Sequence, residues 1–302
     1  MAVGCARCCY AVAMLQVLSI IFPVFALVLV GYLYARRHGP DMASANRLNI
    51  EVFTPALIFS VLSGEGFELA AYADLALAAL LVVLGSGILA WPLARLLGWR
   101  AQTFVPPMMF NNSGNMGLPL ALFAFGEAAL PAAMVLFLVE NTLHFTVGNA
   151  ILTRRIHPLA LLRMPMLLAT LAGILVSVLQ LAIPQPVHAA IELLGQVAIP
   201  LMLFSLGVRM TGVGLHDWRM GLAGAIVCPV SGLLLAWPVL GQFELAEMEA
   251  AQLLVFAALP PAVLNYMLAE RYNIEPERVA AIVLMGNLAS VLVIPAVLYL
   301  VL

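Results

Sequence analysis

The chain has 302 residues, 64% hydrophobic and 9% charged, whereas a soluble domain is about 45–50% apolar and 25% charged. That balance excludes a large water-soluble protein. All 13 basic residues are Arg, set against 15 acids for a net charge of −2, so the basic footprint of a nucleic-acid binder is absent as well. What remains is an integral protein of the lipid bilayer.

In chain order, Cys5, Cys8 and Cys9 crowd the start, without a His or second Cys pair that would make a metal site. Residues 1–12 read as a head before the first helix, with Met14 an alternative start, and no cleavage site of a signal peptide follows. A membrane span needs about 20 mainly apolar residues. Ten stretches qualify: 13–35, 45–63, 73–97, 103–125, 131–152, 164–183, 188–208, 220–240, 249–270 and 278–301. Cys228 lies alone in the eighth.

Twelve of the 13 arginines alternate with these spans, and only Arg7 falls on the other side. Arg36, Arg37 and Arg47 follow the first, Arg95 and Arg100 the third, and Arg154, Arg155 and Arg163 the fifth. Arg209 and Arg219 follow the seventh, Arg271 and Arg278 the ninth, while Glu65, Glu68, Asp74, Glu127, Glu192, Glu244, Glu247 and Glu249 take the opposite side. By the positive-inside rule the arginine face is cytoplasmic. The expected location is the cell inner (plasma) membrane, with both termini on the outer face.

Internal similarity supports the same layout. Val52, Pro55, Phe59 and Ser60 recur as Val197, Pro200, Phe204 and Ser205 at an offset of 145. LAWP at 89–92 returns at 235–238, and Asn141 returns as Asn287, both at an offset of 146. Pro23 and Gly31 are echoed by Pro165 and Gly173. Two repeats, 13–155 and 156–302, each with five helices, must start on opposite sides of the membrane. The predicted fold is therefore an all-α membrane protein of ten transmembrane helices in two inverted five-helix repeats, an architecture of secondary transporters.

The fourth and ninth spans are equivalent in this repeat, and both carry helix breakers. The fourth contains Pro106, Pro107, Asn111, Asn112, Ser113, Gly114, Asn115, Gly117 and Pro119; the ninth contains Pro260, Pro261 and Asn265. Proline removes a backbone donor, glycine lowers helix propensity, and asparagine offers its amide to freed backbone groups. Midway through a bilayer, broken backbone survives only if buried in protein or lining a wet cavity. A simple proline kink accounts for Pro23 or Pro165. Paired defects at mid-depth instead predict crossed, broken helices 4 and 9, whose second halves present N-termini to an anion.

These residues resemble a known family. FNNSGNMGLPL at 110–120 is similar to the N-x-G-N-x-G-x-P signature of the auxin efflux carriers. Leu48 and Asn49, with PALIFS at 55–60, resemble the family's second-helix signature; LPPA at 259–262, with Tyr266 and Ala269, resembles the ninth-helix one. The resemblance runs over essentially the whole chain after Met14. It implies ten helices crossing at broken helices four and nine, and transport of small organic anions: auxin in plant members, malonate and similar acids in bacterial ones. The long cytoplasmic loop of many plant members is replaced here by residues 153–163. Carried over by position, Asn115, Gly117 and Pro119 on one side, and Pro260 and Pro261 on the other, form the crossover, with Asn265 near the ligand.

Among ionisable groups within spans, Glu140 lies in the middle of the fifth, beside Asn141 and one turn from His144. A carboxylate at that depth costs about 2.5–3.5 kcal/mol on insertion scales. It reads equally as a proton-coupling site or as a helix–helix hydrogen bond. Glu51 reads as a cap or gate with Arg47, and Asn141 and Asn287 as braces of the crossover. No metal or catalytic motif is present, and Ser113 with His144 is the whole case for an intramembrane hydrolase. The expected function is non-enzymatic and needs no cofactor: a secondary transporter of malonate-like or auxin-like carboxylates working by alternating access. Substrate binding falls to Asn111, Asn112, Gly114, Asn115, Gly117, Pro119, Pro260, Pro261, Asn265 and Tyr266. Coupling or support falls to Glu140, Asn141, His144, Asn287 and Glu51. H+ and Na+ are both admitted as coupling ions, a sodium- or proton-coupled carrier of another substrate class on the same fold stays open, and so does a homodimer.

Overall fold

The computed structural model describes the backbone of residues 2–64, 67–154, 164–212 and 217–302, with side chains from Met14 onward. Among these residues the structure is helical apart from turns and one isolated two-residue bridge. Its elements are α1 (Ala2–His38), α2 (Ala43–Leu48), α3 (Thr54–Leu62), α4 (Ala73–Leu96), α5 (Ala101–Met109), α6 (Leu118–Phe125), α7 (Leu130–Leu143) and α8 (Asn149–Thr153). The second half brings α9 (Pro165–Val178), α10 (Gln185–Gln196), α11 (Ala198–Arg209), α12 (Trp218–Leu240), α13 (Glu247–Ala257), α14 (Val263–Arg271) and α15 (Pro276–Val301). Three π-helical turns, Asn49–Phe53, Ser113–Gly117 and His144–Gly148, join α2 to α3, precede α6, and join α7 to α8.

Six of the described helical stretches are long and apolar enough to cross a membrane: Met14–His38, Leu69–Leu96, Glu127–Thr153, Gln185–Arg209, Trp218–Leu240 and Pro276–Val301. Two shorter apolar helices, Ser113–Phe125 and Pro165–Val178, accompany them. The stretch expected at 45–63 is α2, a π turn and α3 in succession, and those expected at 103–125 and 249–270 are each interrupted. The backbone of α1 begins at Ala2, so the expected head at 1–12 continues the first helix instead of standing apart from it. Cys5, Cys8 and Cys9 lie outside the residues whose side chains are described, as do Glu65, Arg155 and Arg163.

Apolar side chains cover the outside: Phe22 and Leu33 on α1, Ile88 and Leu96 on α4, Trp237 on α12 and Leu292 on α15 are exposed. Polar side chains are buried instead, including Asn112, Ser113, Glu140, His144, Asn265 and Asn287. An apolar exterior around an apolar core that also encloses polar side chains is what a lipid solvent selects.

Without a hydrophobic force between helices in lipid, close backbone approach through small residues does much of the packing. Helix α1 packs along α11, and α9 along α3. A Cβ on Gly31 would collide with the carbonyl of Phe204, and one on Gly207 with the carbonyl of Val28. In the other pair, a Cβ on Gly173 would lie 2.9 Å from Cβ of Leu62, over Phe59. Helix α12 packs against both α4 and α15, and α4 against α5 and α7, which brackets the interrupted helices at the centre. At one end, Arg278 bridges Asp217 (2.9 Å) and Glu275 (2.7 Å), and Glu275 accepts from Thr103, tying together the starts of α5, α12 and α15.

The α1–α11 contact gives a first test. Gly207→Val must push α1 off α11 and should cost about 1–3 kcal/mol through overpacking, read as a lowered Tm in detergent. Leu33→Ala on the exposed face should leave Tm nearly unchanged. Equal Tm for Gly207→Val and the parent chain would overturn this account of the packing.

Candidate functional site

Two helices stop in mid-bundle for reasons written in their prolines. Pro106 and Pro107 leave α5 without two donors, and the last bond of its ladder is Phe110 N–H to the Pro106 carbonyl (2.9 Å). Pro260 and Pro261 likewise end α13, and Ala258–Ala262 runs without helix until α14 begins at Val263. The two breaks cross. Asn112 N–H donates to the Pro260 carbonyl (2.7 Å) and Ala262 N–H to the Phe110 carbonyl (3.0 Å), forming an antiparallel bridge with Asn111 opposite Pro261.

Asparagine side chains complete the crossing. The N–H that Pro260 lacks would have bonded to the Phe256 carbonyl four residues earlier; the Asn111 amide donates there instead, at 2.5 Å. Asn265 Nδ2 donates to the carbonyls of Phe110 (2.8 Å) and Ala262 (3.1 Å). From α15, Asn287 Nδ2 donates to the carbonyls of Pro261 (3.1 Å) and Val283 (2.8 Å), and its Oδ1 accepts from Asn112 Nδ2 at 3.2 Å. Asn115 Nδ2 donates to Asn112 Oδ1 at 3.1 Å. A Cβ on Gly286 would press within 2.5 Å of Pro261 Cδ, so α15 meets the crossing at a glycine.

A cavity of about 190 Å³ opens beside the bridge. It is lined by residues Asn111–Asn115 and by Ala262, Val263 and Leu264, the starts of the two resumed helices. The first N–H groups of any helix have no acceptor within it, and the backbone dipoles add positive potential there. All three π turns contribute to the same wall, through Asn49 and Ile50, Ser113 to Asn115, and His144 and Phe145. Such turns are rare and occur mostly where function needs an irregular helix.

Glu140 and His144 stand one turn apart in this wall, both buried. The Ser113 hydroxyl and the Asn111 backbone N–H are turned toward the Glu140 carboxyl. The His144 ring stacks on Phe110, at a centroid distance of 4.2 Å and 8° between planes. His144 Nε2 and Asn265 Oδ1 are both buried without a hydrogen-bond partner. A neighbouring cavity of about 350 Å³ is lined by Asn46, Arg209, Tyr266, Met267 and Asn287, among others.

The expected site residues therefore divide. Asn111, Asn112, Gly114, Asn115, Glu140, Asn141 and His144 share the polar cavity; Tyr266 and Asn287 line its neighbour. Pro260, Pro261 and Asn265 build the crossing and line neither. Gly117 and Pro119 are buried in packing, where a Cβ on Gly117 would lie 2.8 Å from the Phe256 ring. Asn287 braces the crossing, whereas Asn141 spends its amide on the Phe137 carbonyl of its own helix (3.1 Å). Glu51 is exposed, lines neither cavity and makes no ion pair with Arg47: it lies inside the π turn Asn49–Phe53 while Arg47 lies in the last turn of the preceding α2, so the pair lacks the regular four-residue stacking of one α-helix. No group of three or more His, Cys, Asp or Glu is placed to hold a metal among the described residues.

Residues 149–298 match the family described as "Membrane transport protein". The chain is 29% identical to a Rhizobium meliloti protein named "Putative malonate transporter", over 95% of this chain and 97% of that one. Both matches support the resemblance to the auxin efflux carriers that the 110–120 motif carries. A second relative of this carrier, named "Uncharacterized transporter", comes from Methanothermobacter thermautotrophicus; it is 28% identical over 91% of this chain and 95% of its own. The carrier is thus a membrane transport protein, and the family points away from enzymatic chemistry at Ser113 and His144.

The sequence did not single out Asn46, Asn49, Ser205 or Arg209 of the carrier as cavity residues. Ser205 had a signal, since it repeats Ser60 at the shared offset. The bond from Asn111 is the testable part of the crossing. Asn111→Ala leaves the Phe256 carbonyl only the Leu259 N–H (3.2 Å) and should cost about 0.5–1.5 kcal/mol, the net worth of one hydrogen bond, seen as a lower Tm in detergent; an unchanged Tm means that this bond does not stabilise the crossing.

Proposed function

We propose that the carrier is a secondary transporter of small carboxylates, bound at the crossing of the two broken helices. The observation that carries this reading is the pair of helix starts that line one cavity together with the side-chain amides of Asn111, Asn112 and Asn115, each of which keeps a second N–H beyond the one it donates within the crossing. Those are neutral donors suited to an anion. Malonate is the first candidate, on the printed name of the R. meliloti relative.

The proposed frame is ten crossings in two inverted repeats, 13–155 and 156–302, in the inner membrane with both termini outside. The packing supports it. Gly31 over Phe204 and Gly173 over Phe59 are equivalent contacts under the repeat, as are Gly87 over Met109 and Gly232 over Ala257. Rocking of the halves about the crossing then exposes the cavity to each side in turn.

Glu140 couples the cycle to protons in this reading. Its carboxyl faces two donors, Ser113 and Asn111 N–H, at the same helix start that receives the substrate. Two anions cannot share that start in a low-dielectric cavity, so Glu140 takes up a proton as the substrate binds. A malonate dianion with one proton still carries one net negative charge. An inside-negative potential favours its export by about 2.3 kcal/mol per 100 mV.

Proteoliposome flux with a carboxylate panel, under imposed Na+, pH and voltage gradients, tests the scheme. Malonate flux should fall about tenfold or more in Asn115→Ala, which loses a donor to a charge. Glu140→Gln should still move the anion but cease to follow an imposed pH gradient; an undiminished pH response reduces Glu140 to a helix–helix hydrogen bond. If no organic anion moves or binds, and Asn115→Ala changes nothing, the site is wrong.

Topology is tested separately. In a chain whose four native cysteines are replaced by serine, Glu247→Cys should react with an impermeant maleimide from outside. Labelling only from the cytoplasm would overturn the orientation.

A further inference from the structure

Arg209 closes α11 on the side marked by the arginines, yet it does not point away into solvent. It is half-buried and lines both cavities, the 190 Å³ one at the crossing and the 350 Å³ one beside it. Its Nη1 contacts Met267 Sδ at 2.8 Å. None of the three ion pairs among the described residues involves Arg209. Met267 itself lines both cavities, so even this contact lies on their shared wall. The nearby acid of α14, Glu270, is exposed and accepts from the Tyr266 hydroxyl at 2.9 Å.

A thioether is a weak acceptor, and a guanidinium held in a cavity wall gains most from a carboxylate, which meets its planar fork with two parallel bonds. One turn before it on α11, Ser205 lines the crossing cavity with a buried hydroxyl that has no partner. Arg209 and Ser205 thus line the same cavity as the starts of the resumed helices, setting a cation and a neutral hydroxyl on one wall beside the neutral donors of the crossing.

We propose that Arg209 receives the second carboxylate of a short-chain dicarboxylate whose first carboxylate sits at the crossing. This rests on the reading of the crossing as a carboxylate site and goes further, by making Arg209 the residue that separates dicarboxylates from monocarboxylates. Removing it should cost affinity only for substrates that carry the second charge.

The test is uptake into proteoliposomes of malonate and of malonamate, its monoamide, which keeps the shape and loses one charge. In the parent chain, KM for malonate should be about 10- to 100-fold below that for malonamate, the worth of a charge-assisted bond. Arg209→Gln should raise KM for malonate by that factor and leave malonamate uptake within about twofold, which also reports that the variant is folded. Arg209→Lys keeps the charge without the fork and should recover part of the preference; it carries the comparison if the glutamine variant fails to fold. A preference for malonate that survives in either variant as strong as in the parent overturns the role of Arg209, as does an equal loss for both compounds. If the parent moves both without discrimination, Arg209 alone is refuted and the carboxylate site stands. If it moves no carboxylate at all, both readings fall.

Discussion

A polypeptide inside a bilayer has no water with which to replace a missing backbone hydrogen bond, and everything at the centre of this carrier follows from meeting that condition at two breaks. The prolines that end α5 and α13 leave carbonyls without their usual donors. The orphaned groups are matched across the crossing: Asn112 N–H with the Pro260 carbonyl, Ala262 N–H with the Phe110 carbonyl, and the Asn111 amide with the Phe256 carbonyl. Neither broken helix could persist at this depth without the other. Glycines at Gly117 and Gly286 let the neighbouring backbone close on the crossing.

Satisfying the carbonyls this way leaves the opposite set of groups free. Ser113 and Val263, which begin the resumed helices, both line the cavity, and the first N–H groups of a helix have no acceptor within it. In the proposed function, a site made of dipoles and amides attracts an anion without holding it as a buried salt bridge would, and so remains able to release it. The charged side chains stand at its margins, Glu140 on one wall and Arg209 on another.

Much of this was readable in the sequence, because breakers and amides announce themselves by chemistry. Two proline pairs in equivalent apolar spans located both breaks, and the 110–120 motif contains five residues that line the cavity. Glu140 and His144 shared a helix face by simple spacing. Other features had no such signature. A π turn is set by packing and not by a residue pattern, so the displacement of Glu51 from Arg47 was invisible. Gly117 and Pro119 belong to the motif yet serve close packing, a distinction that needs the partner ring of Phe256. Arg209 looked like one more marker of the cytoplasmic face, since the direction of a helix-end side chain depends on how α11 is rotated against α1.

The three π turns have a consequence of their own. Each holds one residue more than the α-helical turn it replaces, and the surplus need not stay where it is. Passing it along the helix by a turn rotates the side chains it has crossed by about 100°, while residues farther along keep their places. The cavity wall of Asn49, Ser113 and His144 is thus built where each helix carries its surplus residue, so the register that aims these side chains is set locally and not by the anchored helix ends.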